Sequence, residues 1–322
     1  MTMNFQSILA TVAEDFAAVD HYILNHLDSR VPLVMQVGHY LVEGGGKRLR
    51  PLLSLLSARA TGYEGGKHIP LAAIIEMLHT ATLIHDDVVD ESDLRRGRAT
   101  VNSAWNNATA VLVGDFLISR AFQLILDLEI PAISRLIADG TLVIAEGEVM
   151  QLINKRDPDT PEERYMEVIY GKTAQLFVTA AEGGAILGNP ALREAMRDYA
   201  MHFGAAFQII DDVLDYESTA EEMGKNVGDD LAEGKPTLPL IQAMKTAAPE
   251  DAELIREAIR TGGLERLPDI LRIIRESGAL TYCRQRAQAE TEAARTALAP
   301  VPASAYKEAL LGLLDLGLNR TS

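Results

Sequence analysis

The sequence of 322 residues has a single cysteine, Cys283, which excludes an intrachain disulfide framework and a cysteine-rich zinc site. It also has no run that approaches the ~18 uninterrupted apolar residues needed to cross a bilayer, so no transmembrane helix is expected. The N-terminus lacks the basic start and apolar stretch of a signal peptide. These absences predict a protein of the reducing cytoplasm.

The chain also has fewer basic than acidic residues. Thirty Lys and Arg stand against 46 Asp and Glu, for a net charge of −16, and this balance argues against nucleic acid as the main partner. Hydrophobic residues make up 48% of the chain, enough for a large core. No low-complexity linker divides the sequence, so we expect one domain over residues 1–322.

Apolar residues recur every three or four positions through most of the chain, which is typical of amphipathic helices. Prolines fall near the starts of many runs, where a missing N–H is tolerated. Strand-like alternation is scarce. We therefore predict an all-α chain of a dozen or so helices, at about 5–27, 33–43, 51–60, 70–90, 103–127, 131–153, 161–187, 191–217, 236–247, 250–261, 267–276, 279–298 and 303–318.

Two similar acidic motifs, LIHDDVVD at 83–90 and QIIDDVLD at 208–215, each place Asp-Asp-x-x-Asp at the end of an apolar helix. Residues four apart share a helix face, so Asp86 lies beside Asp90 and Asp211 beside Asp215. Carboxylates emerging from a buried helix are costly unless paired or bound to metal. One motif alone could be a solvated helix end. Two of them favour Mg²⁺, which prefers carboxylates and substrate phosphates.

Basic groups follow or flank these acids. Arg95 and Arg96 come directly after the first motif, and guanidinium groups match phosphate oxygens. The stretch GGGKRLRP at 44–51 combines three glycines with Lys47 and Arg50, so its backbone can approach an anion closely. It is not a Walker loop, and taken alone it could be a basic surface loop.

A third polar set lies in runs that otherwise read as core. Lys172 and Thr173 occur in YGKTAQLF, and Gln208 precedes the second acidic motif by one helical turn. The side-chain oxygens of Thr173 and Gln208 suit a positive centre, and ordinary helix–helix hydrogen bonding is the alternative for both. Lys225 and Lys235 lie in the long charged loop at 218–236, and alone they would read as solvated surface.

Six stretches in this order resemble the trans-isoprenyl diphosphate synthases, most closely their long-chain bacterial subgroup: GGGKRLRP, LIHDDVVDESDLRRG, GDFL, GKTAQLF, FQIIDDVLDY and GKNVGDDLAEGKPTLPL. The resemblance covers nearly the whole chain. It implies an all-α isoprenoid synthase bundle around a deep central cavity, usually a homodimer. It also implies repeated head-to-tail addition of isopentenyl diphosphate to a growing allylic diphosphate, with farnesyl diphosphate as the expected primer.

The resemblance also assigns roles to residues. It implies a metal site that holds about three Mg²⁺, made of Asp86, Asp87, Asp90, Asp211, Asp212 and Asp215. It implies an isopentenyl diphosphate site of Lys47, Arg50, His79 and Arg96, and an allylic diphosphate site of Arg95, Lys172, Lys225 and Lys235. Thr173 and Gln208 would face the allylic carbocation. For His79 a core position is the alternative. The catalytic set so implied is Asp86, Asp87, Asp90, Lys172, Thr173, Gln208, Asp211 and Asp212.

The residues before Asp86 bear on product length. Short-chain members of the family usually place a bulky aromatic residue four or five positions before the first aspartate, where this chain has Thr82 and Ala81. Each helical turn adds about 5.4 Å of depth, so an open wall predicts a long product. The resemblance favours eight isoprene units, and six, seven, nine and ten units are the alternatives. The wall would continue through Leu78 and Ile75. Candidates for the floor, for which core packing is the alternative, are Phe122, Leu124, Ile125, Leu128 and Ile137.

Four other functions compete with this interpretation. A terpene cyclase would not need the basic GGGKRLRP stretch. A short-chain farnesyl or geranylgeranyl diphosphate synthase conflicts with Ala81 and Thr82. A non-catalytic partner subunit typically lacks aspartates that are intact here, and a hydrolase would need a base that is not evident. Transient membrane contact at product release is conceivable for so apolar a product, but no strongly basic amphipathic helix is present to carry it.

Overall fold

The structure is a computed structural model that describes residues 3–217 and 228–320. Its first helices are α1 (Phe5–Ala10), α2 (Ala13–His26), α3 (Pro32–Glu43), α4 (Leu49–Ala60), α5 (His68–Val89), α6 (Val101–Ala104), α7 (Asn107–Asp127) and α8 (Pro131–Asn154). Then come α9 (Glu162–Val168), a π-helix (Ile169–Ala174), α10 (Gln175–Leu187) and α11 (Arg193–Glu217). The last are α12 (Asp229–Ala232), α13 (Leu238–Thr246), α14 (Pro249–Thr261), α15 (Leu267–Glu276), α16 (Ala279–Ala297) and α17 (Ala305–Asn319).

Two short strands, β1 (Leu94–Arg95) and β2 (Arg98–Ala99), pair antiparallel and are the only strands in the described part of the chain. Both residues of the turn between them, Arg96 and Gly97, have positive φ, the backbone conformation that matches the twist of a two-residue hairpin. Short 3₁₀ turns occur at Pro190–Leu192 and Leu264–Arg266. The predicted all-α fold class is confirmed.

The chain falls into two compact units. The first consists of Met1–Gly140, Leu176–Asp198 and Ala297–Leu313, and the second of Thr141–Gln175, Tyr199–Thr296 and Leu314–Ser322. The prediction of one polyprenyl synthase domain over residues 1–322 stays a prediction.

In the first unit α5 is the central helix and packs against α2, α4 and α7. α4 is buried along most of its length because α10 lies close against it at Gly184. A Cβ on Gly184 would lie 2.6 Å from the Ala58 nitrogen and 2.8 Å from Ser57 Cβ, so only glycine allows this approach. The tight packing of small residues holds α4 and the loop before it in place.

The second unit has two apolar cores. One lies under the second acidic motif and includes Tyr165, Ile209, Val213 and Cys283. The other joins α13, α14 and α15 through buried side chains such as Leu240, Ile255, Ile259, Ile270 and Ile274. The C-terminal half of α11, which carries the second acidic motif, is therefore buried on its apolar faces.

Helix boundaries mostly follow the predicted runs, with three differences. The run at 5–27 breaks at Thr11 and Val12 into α1 and α2. The run at 103–127 breaks at Trp105, and α7 starts anew where the Asn106 side chain accepts a hydrogen bond from the Thr109 N–H at 2.8 Å. The run at 161–187 is interrupted by the π-helix.

By length and composition alone, one helix among the described residues, α7, could span a membrane. The expectation that no helix crosses a membrane stays a prediction. α7 nevertheless packs along α5 and buries eight of its residues, which is the pattern of a core helix.

Candidate functional site

The first acidic motif occupies the last turn of α5. The helix ends at Val89, and the Asp90 N–H donates to the Asp86 carbonyl at 2.8 Å. Asp86 and Asp90 are partly exposed on one face, whereas Asp87 is only 4% exposed and points elsewhere. The helical spacing thus presents two carboxylates together, as the sequence predicts.

Asp87 is held by Arg95 of the hairpin. Arg95 Nε and Nη2 both donate to Asp87 Oδ1, at 2.9 and 2.7 Å. Burial raises the pKa of Asp87, and the Arg95 guanidinium opposes that rise. In this structure Asp87 and Arg95 are therefore partners of each other, although sequence analysis assigned one to metal and the other to diphosphate.

The loop before α4, residues 44–48 (the glycine loop), has positive φ angles at Gly45, Gly46 and Arg48. A side chain on Gly46 would collide with the guanidinium of Arg96, and Arg96 Nη1 donates to the Gly45 carbonyl. The exposed Lys47 lies in the same loop. The fold thus brings Arg96 of the hairpin to the glycine loop, 50 residues earlier in the chain, as an anion site would need.

Arg50 and His79 form the inner part of this basic group. Arg50 Nη1 lies 3.1 Å from His79 Nε2, and the Arg50 guanidinium stacks 4.2 Å from the Phe177 ring centroid. Burial lowers the pKa of Arg50 to about 10, and burial together with the charges of Arg50, Arg96 and Arg95 holds the pKa of His79 well below its ordinary value. His79 is therefore neutral, and because an arginine only donates, its Nε2 accepts from Arg50.

Glu76 is a site residue that sequence reasoning missed. Burial raises its pKa, while the charges of Arg48, Arg50 and Arg96 lower it, so this carboxylate lies among the guanidinium groups of the basic loop. Its Oε2 is buried with no hydrogen-bond partner among the described residues. The signal was available, because Glu76 is the single charged residue in the apolar run IPLAAIIEMLHTATLI.

A cavity of about 950 Å³, counting space open to solvent, lies in the first unit beside this group. One face of α5 lines it with Glu76, Thr80, Leu83 and Asp87, together with residues of α2, α3 and the hairpin. The residues predicted to set chain length do not line it: Ile75, Leu78, Ala81, Thr82, Ile125 and Ile137.

The predicted chain-length residues are mostly buried within the first unit. Ile75, Leu78, Ala81, Ile125 and Ile137 are all buried, and Thr82 is partly so. Phe122, a further floor candidate, lies on α7 and is 46% exposed. It therefore does not form the floor of a cavity inside the first unit. The assignment of wall and floor stays a prediction.

The second acidic motif lies near the end of α11 in the second unit. The Asp211 side chain is 38% exposed, and Arg320 Nη2 donates to its Oδ1 at 3.1 Å. The two residues are 109 positions apart, and the motif alone does not predict this contact. Asp212 and Asp215 are 3% and 1% exposed. Asp215 Oδ2 accepts from the Asp230 N–H at 3.3 Å, which ties the start of α12 to the motif.

The π-helix presents Lys172 and Thr173 on one segment. Lys172 Nζ donates to Glu148 Oε2 and Gln151 Oε1, both at 2.6 Å. The π-helix comes this close to α8 because Gly147 has no side chain: a Cβ there would lie 2.7 Å from the Lys172 nitrogen. Local π-helical turns often occur at functional sites.

Thr173 and Gln208, predicted together, are in contact. Thr173 Oγ1 donates to Gln208 Oε1 at 3.1 Å, and Gln208 Nε2 donates to Asp212 Oδ1 at 2.7 Å. Burial and then the charge of Asp230 raise the pKa of Asp212 well above its ordinary value. Tyr165, a second residue that sequence reasoning missed, donates to the other oxygen of Asp212 at 2.6 Å.

Two predicted lysines lie in or near the long loop. Lys235 pairs with Glu233, and its N–H donates to the Asp230 carbonyl at 2.8 Å. Lys225 falls outside the described residues. Its predicted role in binding the allylic diphosphate stays a prediction.

The carboxylates of the two motifs fit Mg²⁺ by the chemistry of their donors, which are all hard oxygen atoms. Among residues 3–217 and 228–320, no three His, Cys, Asp or Glu side chains converge closely enough to hold a metal by themselves. Mg²⁺ typically uses one or two carboxylates and takes its other ligands from waters and substrate phosphates. The donor set therefore suits a metal that arrives with a diphosphate.

Comparison with known proteins identifies the class. Residues 31–274 match the polyprenyl synthetase family. An all-trans-nonaprenyl-diphosphate synthase (geranyl-diphosphate specific) from Rhodobacter capsulatus is 56% identical, and an octaprenyl diphosphate synthase from Escherichia coli K12 is 50% identical, each over 99% of both chains. The crystal structure of a polyprenyl synthase from Caulobacter crescentus CB15, complexed with calcium and isoprenyl diphosphate, has a TM-score of 0.96 and 39% identity over 100% of this chain and 99% of that one.

The chain belongs to the polyprenyl synthetase family. Its full-length similarity to octaprenyl and nonaprenyl diphosphate synthases confirms the predicted long-chain subgroup of trans-prenyl diphosphate synthases. The predicted enzyme class, a trans-polyprenyl diphosphate synthase, is confirmed with it.

Proposed function

We propose that the chain elongates an allylic diphosphate by successive trans condensations with isopentenyl diphosphate, and that it makes octaprenyl diphosphate for quinone side chains. One observation carries the proposal: the first unit holds a basic group of Arg50, neutral His79 and Arg96 at a glycine loop, close to an aspartate motif. That arrangement offers a second anion site beside a metal motif. A condensation of two diphosphates needs both, whereas a cyclase needs one.

The basic group is proposed to bind isopentenyl diphosphate. Arg96 and Lys47 lie at the exposed loop, and Arg50 lies deeper, held by His79 and Phe177. A guanidinium that is already fixed loses little further freedom on binding an anion, so it suits diphosphate recognition. Arg95, Lys172, Lys225 and Lys235 are proposed to hold the allylic diphosphate, with the carboxylate partners of Arg95, Lys172 and Lys235 exchanged for phosphate oxygens.

We infer that six aspartates take part in holding about three Mg²⁺ per active site, namely Asp86, Asp87, Asp90, Asp211, Asp212 and Asp215. When bound, these ions offset the negative charge that develops on diphosphate as its carbon–oxygen bond breaks. The partly exposed Asp86, Asp90 and Asp211 are the best placed to reach a ligand, since Asp87 and Asp212 are buried.

The carbocation left after the carbon–oxygen bond breaks is proposed to face the oxygens of Thr173 and Gln208. The isopentenyl double bond then forms the new carbon–carbon bond, and a proton leaves, most simply to the released diphosphate. The protein's part is to orient both substrates and to exclude water, which would otherwise trap the cation.

A long product is proposed because Ala81 and Thr82 leave the helix before Asp86 without a bulky side chain, and eight isoprene units because the relative from Escherichia coli K12 is named an octaprenyl diphosphate synthase. Nine units are the second candidate, since the relative of 56% identity is named a nonaprenyl synthase. We further propose that the enzyme is a cytoplasmic homodimer with transient membrane contact at product release.

The test is a product assay on the purified chain. Farnesyl or geranyl diphosphate, excess labelled isopentenyl diphosphate and Mg²⁺ are incubated with it, and the dephosphorylated products are separated by chain length. We expect a dominant product of forty carbons. A product of fifteen to twenty carbons would contradict the long-chain proposal, and no product from the chain alone would favour a partner subunit.

A matched pair of variants isolates the first aspartate motif. Asp86→Asn removes one carboxylate charge without changing its shape, and it should lower kcat by at least ~100-fold if Asp86 helps to hold the metal. Asp93→Asn makes the same change at an exposed aspartate just outside the motif and should leave turnover unchanged. Full activity in Asp86→Asn would rule out this metal assignment.

A further inference from the structure

Tyr165 lies on α9, away from every sequence motif, and still contacts the second acidic motif. Its hydroxyl donates to Asp212 Oδ2 at 2.6 Å, and both residues are buried. The ring packs in the apolar core with Ile209 and Cys283. A buried tyrosine hydroxyl needs a hydrogen-bond partner, and here that partner is a carboxylate of the second acidic motif.

The other oxygen of Asp212 fixes the direction of an amide. Gln208 Nε2 donates to Asp212 Oδ1 at 2.7 Å, so the amide nitrogen faces Asp212. The amide oxygen then points the opposite way, where Thr173 Oγ1 donates to it at 3.1 Å. Four side chains thus form one hydrogen-bonded series within the second unit, from Tyr165 through Asp212 and Gln208 to Thr173.

We propose that Tyr165 is a positioning residue for prenyl transfer: by holding Asp212, it keeps the Gln208 amide oriented with its oxygen toward the allylic carbocation. The inference rests on the proposed function. A cation is stabilised by the oxygen end of an amide dipole and destabilised by the N–H end, so the orientation of the amide decides the sign of its effect. Orientation fixed in advance also spares the reorganisation that a free amide would need during the reaction.

Removal of the hydroxyl would leave Asp212 Oδ2 without that donor. The carboxylate could then rotate, its hydrogen bond to Gln208 would loosen, and the amide would sample both orientations. The loss is expected in the chemical step, because Tyr165 is buried and acts only through Asp212. The proposed isopentenyl diphosphate site is made of other residues, so affinity for that substrate should not change.

The test starts from Tyr165→Phe, which deletes one oxygen and keeps the ring in the core. We expect kcat to fall about tenfold, in line with the losses that follow small misplacements of catalytic groups. The KM for isopentenyl diphosphate, whose proposed site does not include Asp212, should stay within about twofold of wild type. Tyr170→Phe is the matched control, because its hydroxyl donates to Glu290 at 3.0 Å instead. It should keep wild-type kcat even if its melting temperature falls.

A double-mutant cycle separates positioning from general loss of structure. If Tyr165 acts through Gln208, then Tyr165→Phe added to Gln208→Leu should lower kcat by less than about twofold further. Wild-type kcat in Tyr165→Phe, or losses that multiply in the double variant, would overturn the inference. Failure of the proposed function would show differently, since wild-type protein would then make no polyprenyl product at all.

Discussion

At the scale of single residues, His79 shows how burial decides chemistry. A histidine in a diphosphate site invites assignment as a cation, but burial and three nearby arginines hold its pKa well below the ordinary 6.5. The neutral ring serves as an acceptor that orients Arg50. The positive charge that would attract an anion therefore comes from Arg50, and His79 orients the Arg50 guanidinium.

This protonation state predicts a pH dependence of stability. Because the folded pKa of His79 lies below the unfolded value near 6.5, the unfolded chain binds the proton more readily. The free energy of unfolding that depends on the neutral ring is therefore fully present above the unfolded pKa of His79. It is lost as the pH falls from there toward the lower folded pKa. His79→Gln keeps an acceptor for Arg50 but cannot titrate, so its free energy of unfolding should decline less steeply on the acid side.

Urea denaturation at about pH 7.5, 6.5 and 5.5 measures this difference, with His21→Gln as the control for an exposed histidine. His21→Gln should follow the wild-type profile. An acid-side decline in His79→Gln equal to that of wild type would mean that His79 is not held neutral in the folded protein.

Sequence alone names candidate site residues but not the contacts between them. The aspartate motifs, Arg50, Arg96, Thr173 and Gln208 could all be named from sequence. Tyr165 and Arg320 could not be given roles, because their partners come from distant parts of the chain and nothing local signals them. Glu76 did carry a local signal, as the single charged residue of an apolar run, but its neighbours could not be named. Arg320 reaches Asp211 across 109 residues, and such a contact exists only once the fold has formed.

At the scale of elements, the crossing of α8 and the π-helix depends on Gly147. Substitution of a helical glycine by alanine should by itself stabilise the helix by ~1 kcal/mol. Here a Cβ would lie 2.7 Å from the Lys172 nitrogen and 2.9 Å from the Gly171 carbonyl carbon, and backbone atoms cannot move aside as side chains do. Overpacking of this kind costs about 1–3 kcal/mol, so the clash should win.

We therefore predict that Gly147→Ala lowers the free energy of unfolding by up to ~2 kcal/mol, the cost of overpacking less the gain in helix propensity. It should also lower kcat/KM by at least tenfold, since Lys172 and Thr173 move with the π-helix. Gly66→Ala is the control, because a Cβ there meets nothing within 4 Å. Chemical denaturation and steady-state kinetics give both quantities, and a Gly147→Ala enzyme as stable and active as wild type would contradict the prediction.

Element boundaries were predictable where proline or a capping residue marks them, as at Pro32, Pro131 and Pro249. The π-helix was not predictable, because the periodicity of its own residues gives no sign of it. Its backbone packs closely against α8 at Gly147, a contact that only the folded chain has. The hairpin at 94–99 was missed for a different reason: four strand residues are too few to show alternation.

At the scale of the whole molecule, the exposed face of α7 is the feature that a single chain leaves unexplained. The described helix spans 21 residues, about 30 Å, and exposes the apolar side chains Val111, Leu112, Phe122 and Leu126. In the second unit α8 exposes Leu142, Val149, Leu152 and Ile153 in the same way. Exposed apolar stripes of this length usually mark an interface.

The proposed homodimer would cover the α7 face with a second copy of the chain. Leu126 is 71% exposed, so Leu126→Glu should leave the fold of the monomer intact while placing a charge in an apolar interface, where an unpaired carboxylate is strongly unfavourable. Sedimentation equilibrium should find a dimer for wild type and a monomer for Leu126→Glu at micromolar concentration. Leu264→Glu, at a 42% exposed leucine of the second unit, should remain dimeric. A monomeric wild type would reject a second copy as the partner of α7, and binding of wild type but not Leu126→Glu to lipid vesicles would then assign the stripe to a membrane surface instead.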